Sequence, residues 1–139
     1  MSPPEVGARW SFRYVVKPED TAAALNPVTG DSFPAVLATT KCIALLELAA
    51  GHLLIPLCKP GELSVGVVVD VKHTAATQVG AWVEAEAHYK GLDGKLHAFE
   101  VVARDAAGEV MRGMHKRAII SEQRLLEGAA RRASGRGER

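Results

Sequence analysis

Only two cysteines, Cys42 and Cys58, occur in the 139 residues. They lie in or beside an apolar segment and form no framework, which fits a reducing cytoplasm better than secretion and casts both as core residues. Neither sign of charge dominates: 17 basic and 16 acidic side chains leave a net +1, which gives no electrostatic pull toward nucleic acid or a membrane surface. The N-terminus, MSPPEVGARW, lacks a basic region followed by an apolar core, and no later stretch reads as long and clean enough to span a bilayer. No internal repeat, nucleotide-binding motif or flavin motif is present. His52, His88, His97 and His115 show no ligand spacing with the cysteines, so no structural metal is expected. The few aromatics include Trp10 and Trp82, read as packing or interface residues.

What is present is patterning. The length suits one domain that buries its own core. RWSFRYVV alternates as a first strand, and KPEDTAAALNPVTGDSFP follows as a long connection with the character of a lid. Good helix formers run from about Thr40 to Leu57, with apolar residues around the axis instead of in one stripe, which predicts a helix buried on most sides. Strands are expected over Leu63–His73, Ala81–Lys90, Lys95–Arg104 and Glu109–Ile120, the later ones joined by the turn signals GLDG and DAAG. SEQRLLEGAARR starts with a Ser121 cap and predicts a short closing helix. A hot-dog domain over residues 1–129 is expected, with 130–139 a disordered tail.

The order strand, buried helix, four strands is most simply satisfied by an α+β hot-dog arrangement, an antiparallel sheet curled around one central helix. Such a sheet leaves an edge strand and part of the helix uncovered, so at least a homodimer is expected.

Three polar groups stand out in this frame. Glu47 sits in ALLELAA with no partner three or four residues away in its own helix, so it must face a water-filled cleft, pair with something distant or hold a raised pKa, unless it occupies the helix's one solvated stripe near Lys41 and His52. His73 follows Val65, Val67, Val69 and Val71 at two-residue spacing, which places it on the apolar face toward that helix, although a lone histidine at a strand end is most often structural. Thr39 and Thr40 stand where the loop becomes the helix, as N-caps or as hydroxyls able to hold a water or a substrate carbonyl. Thr39 and Glu47 are about 12 Å apart along a helix, too far to touch one carbonyl. Either the threonine bends back on its loop, or the site is composite between two subunits.

FPAVLATT, LLELAA, GVVVDVKHTAAT and GMHKRAII together resemble the fluoroacetyl-CoA thioesterase and its hot-dog relatives, over about residues 7–120. The resemblance implies a thioester hydrolase with Thr39, Glu47 and His73 catalytic, and with Gly66, Arg117 and the lid residue Phe33 shaping the acyl pocket. It also implies a small or short-chain acyl-CoA as substrate, with coenzyme A its carrier and no further cofactor. Leu37, where the family has an aromatic, Thr40, where it has a glycine, and a shorter loop before Phe33 are departures in the lid and pocket. Read without the resemblance, Gly66 is a strand glycine accommodating a bulge or a close neighbour, and Arg117 is a surface residue or a phosphate contact. The rival function is a non-catalytic acyl-CoA-binding module. A hydratase is disfavoured because Asp70 and His73 fall in opposite strand registers, and the terminal arginines are read as a solvated end.

Overall fold

The computed structural model describes residues 4–135. Strand β1 (Arg9–Val15) leads into a long connection carrying the one-turn helix α1 (Ala22–Leu25), and helix α2 (Thr39–Leu54) follows. Then come β2 (Glu62–His73), β3 (Trp82–Asp93), β4 (Leu96–Asp105), β5 (Gly108–Ser121) and helix α3 (Glu122–Ala133). All strands pair antiparallel in one five-stranded sheet of order β1-β3-β4-β5-β2. The β3–β4 and β4–β5 connections are tight hairpins, the first turning at Gly94, whose φ of +63° suits a residue without a β-carbon.

Helix α2 lies on the concave face. Cys42, Leu45, Leu46, Ala49 and Leu54 press on Val83, Ala85, Phe99, Val101 and Met111 to form the core. Beyond its first turn only Leu48, at 60%, and His52 are exposed along α2, so the expectation of a helix buried on most sides is met, with one uncovered stripe. The run Thr39–Leu57 is also, at 19 residues, long and apolar enough by length and composition to cross a membrane. This corrects the expectation that no stretch is, although here its buried face is spent on the sheet.

Two further expectations change. Strand β2 carries a bulge between Gly66 and Val68, so the valines do not keep one register. Gly66 faces Arg117 and Val69 faces His115, whereas Val65 faces Ala118 on the other side of the sheet. His73 thus shares its face with Val69, Val71 and Gly66, not with Val65. At the C-terminus, α3 runs beyond residue 129 to Ala133. The Ser121 hydroxyl caps it by accepting from the Arg124 amide, and Arg131 and Arg132 in its last turn suit the helix dipole. A disordered segment starting at 130 is thereby corrected, and residues 136–139 lie outside the described ones.

Candidate active site

The site grows from the two ends of α2's uncovered side. At its start, Ala38 is the N-cap and makes no side-chain capping bond, while Thr39 is the first helical residue. Neither threonine caps the helix. The Thr39 hydroxyl instead meets His73 Nδ1 at 2.7 Å, reaching from the helix start to the end of β2. His73 Nε2 is buried without a hydrogen-bond partner, an open valence at this spot. Thr39, Thr40 and the half-exposed Phe33 line one cleft of about 420 Å³ under the long connection.

That connection is anchored where it enters α2. The Ala38 amide donates to the Asp20 carbonyl at 2.9 Å, and the Leu37 amide to the Thr77 carbonyl at 2.8 Å. The buried Asp20 carboxylate accepts from the Tyr14 hydroxyl at 2.6 Å and the Lys17 amide at 2.9 Å, with Lys41 Nζ 3.5 Å away.

Two turns further along α2, Glu47 lines a second cleft of about 570 Å³, walled by Trp10, Leu48, His52 and Leu63. The Trp10 and His52 rings stack with centroids 3.7 Å apart. Glu47 satisfies two of its expected alternatives together, since it faces a cleft and pairs with a distant group. Arg117 Nη1 donates to Glu47 Oε2 at 3.4 Å, and His115 Nε2 lies 3.9 Å from the same oxygen. Arg117 is buried, not a surface residue, and is also held by Ser64: Nε donates to the hydroxyl and Nη2 to the carbonyl, each at 2.9 Å. Burial pulls the guanidinium below its usual pKa and Glu47 opposes that shift. Burial likewise lowers the His115 pKa, which favours the neutral ring.

Gly66 explains how the carboxylate fits. A β-carbon there would sit 2.1 Å from Glu47 Oε2 and 3.1 Å from His115 Cε1, so any larger residue would displace the carboxylate. Thr39 and His73 are therefore together, and Glu47, Gly66 and Arg117 are together. Within one chain, Glu47 and His73 do not come within 4 Å of each other.

The chain matches the fluoroacetyl-CoA-specific thioesterase family over residues 16–123. The chain belongs to that family. Its curated relative, the fluoroacetyl-CoA thioesterase of Streptantibioticus cattleyicolor, is 36% identical over 117 residues, covering 83% of this chain and 84% of that one. A solved structure of the fluoroacetyl-CoA thioesterase FlK superposes with a TM-score of 0.88 at 32% identity, covering 94% of this chain and 98% of the other. A thioesterase superfamily member from Thermus thermophilus gives 0.83 at 26% identity, covering 99% and 98%. The hot-dog expectation is met: a hot-dog-like protein from Thermanaerovibrio acidaminovorans, at 22% identity and a TM-score of 0.77, shares the fold, covering 96% of this chain and 94% of that one.

Among this family member's site residues, sequence reasoning missed His115, Ser64 and Trp10. His115 left a usable signal, because it lies two residues before Arg117 on a strand and so shares its face. Ser64 left none, since its role depends on how β2 lies against β5. No group of three or more potential metal ligands is found among the described residues.

Proposed function

We propose that this thioesterase hydrolyses a short-chain acyl-CoA, of the fluoroacetyl-CoA kind or close to it, to the acid and free coenzyme A. It works as a homodimer in a reducing cytoplasm, where Cys42 and Cys58 remain thiols. The observation that carries the reaction is a carboxylate with one oxygen tethered: Glu47 Oε2 is held by Arg117, and Oε1 makes no hydrogen bond among the described residues. Such a group either attacks the thioester carbonyl or takes a proton from a water that does. When water is the nucleophile, a carbon–oxygen bond forms as the carbon–sulfur bond breaks, and the proton taken by Glu47 passes to the thiolate. When Glu47 attacks, the thiolate leaves a mixed anhydride that water then hydrolyses to the acid and free Glu47, its proton going to the thiolate. Thr39 and the first-turn amides of α2, supplied by the second chain of the dimer, polarise the carbonyl, and His73 of that same chain orients the Thr39 hydroxyl.

The separation of the two groups supports the dimer. Strand β2 is a sheet edge with Val67, Val68 and Val69 exposed at 54%, 37% and 44%, a surface that a second copy would bury. A second copy pairing along this edge would carry its own His73 toward the cleft that holds Glu47. Each site is then completed by two chains.

The test is thiol release from acetyl-, fluoroacetyl-, medium-chain and aryl-CoA by the wild type and Glu47→Gln. Release that is lost in the variant supports the reading. No release from any thioester, with saturable binding, makes the protein an acyl-CoA-binding module. Repeated turnover in heavy-oxygen water then tests the role of the carboxylate: label in Glu47 supports direct attack with water opening the anhydride at the Glu47 carbon.

A further inference from the structure

His115 is almost fully buried, at 2% exposure, on the inner face of β5. Its Nδ1 lies 2.8 Å from the Val68 carbonyl, the first residue past the bulge in β2. A carbonyl can only accept, so Nδ1 carries the hydrogen. The other nitrogen, Nε2, lies 3.2 Å from Arg117 Nη1, which can only donate. The ring is thereby fixed as one neutral tautomer with a donor at one end and an acceptor at the other. Arg117 has its remaining contacts on Ser64 and Glu47.

We infer that His115 is a positioning residue: it relays the bulge carbonyl of Val68 to Arg117, holding Nη1 where it tethers Glu47 Oε2. It touches no substrate atom and acts through Arg117. The chain of contacts is Val68 carbonyl, His115, Arg117, Glu47, and each link needs the polarity of the one before. An imidazolium would present a second N–H to a guanidinium N–H, and the link to Arg117 would break. The inference rests on the reading of Glu47 as the reacting carboxylate. The tether itself exists whether or not that reading holds.

The test uses the full chain in three forms: wild type, His115→Gln, whose amide offers one donor and one acceptor, and His115→Leu, which offers neither. Two-bond proton–nitrogen spectra of the wild type at neutral pH should show His115 as the Nδ1–H tautomer. His115→Leu should lose kcat by about 100-fold with KM little changed, as a misplaced reacting group does. His115→Gln should recover most of it at equal thermal stability. The Arg117 Nη1 resonance should shift in His115→Leu, while that of Nη2, still held by the Ser64 carbonyl, stays in place. An Nε2–H tautomer, an imidazolium, an undiminished kcat in His115→Leu, or a Gln variant no better than Leu at matched stability would each overturn the inference. If the wild type hydrolyses no thioester, the functional reading fails, and the tautomer and the Arg117 resonances decide the positioning role alone.

Discussion

Thr39 and His73 are 34 residues apart in the chain, and the Thr39 hydroxyl oxygen lies 2.7 Å from His73 Nδ1. The hydrogen bond ties the first residue of α2 to the last residue of β2. Substitution at either end should therefore act on the reaction more than on the fold. Thr39→Ser keeps the hydroxyl and should keep most of kcat, whereas Thr39→Val should lose about 100-fold or more. Steady-state kinetics on the preferred acyl-CoA, with circular dichroism as the fold control, checks this. Equal activity of the Ser and Val variants would remove the hydroxyl from the mechanism.

Gly66→Ala places a methyl group 2.1 Å from Glu47 Oε2. The carboxylate must swing away from Arg117, so kcat should fall by about 100-fold while the chain still folds. Gly51→Ala is the control, since its new carbon lies 3.6 Å from the Arg117 guanidinium, an ordinary contact. If Gly66→Ala is as active as Gly51→Ala, the close approach has no bearing on turnover.

The Tyr14–Asp20 pair should give a two-sided pH dependence of stability. Burial pushes the Asp20 carboxyl up, but the Tyr14 hydroxyl, the Lys17 amide and Lys41 outweigh it, leaving the pKa below its ordinary 3.8. The same hydrogen bond, helped by burial, raises Tyr14 from 10.0 to about 12. A lowered acid contributes stability that is complete above pH 3.8 and lost as pH falls toward the folded value. A raised phenol contributes stability that is complete below pH 10 and lost as pH rises toward 12. Tyr14→Phe should lower stability by about 2 kcal/mol near neutrality and flatten both limbs. Urea midpoints across the pH range measure it, and unchanged limbs would show that the pair is not coupled.

Val68→Lys puts a charge at the centre of the exposed edge of β2. It should yield monomers in sedimentation at micromolar concentration and, on the two-chain site proposed above, strongly reduced turnover. A monomer with full activity would show that one chain holds a complete site.

Much of the architecture follows from the sequence through local rules. Two-residue alternation, turn signals and a dense run of helix formers locate β1 to β5 and α2 to within a few residues, because those signals depend on neighbours in the chain. Glu47 is legible for the same reason: an unpartnered carboxylate in an apolar helix must be answered from elsewhere. What answers it is not legible. The bulge at Gly66 and Val68 shifts one strand against another by a residue, and only that shift puts Gly66 on the face of His73, opposite Arg117. The departure of Val65 from the register of His73 has the same cause. Strand pairing is a relation between distant segments, fixed by which side chains the closed sheet can pack together. The residue types at the site belong to the sequence, and their meeting, including the capture of Arg117 by Ser64 and His115, belongs to the tertiary fold.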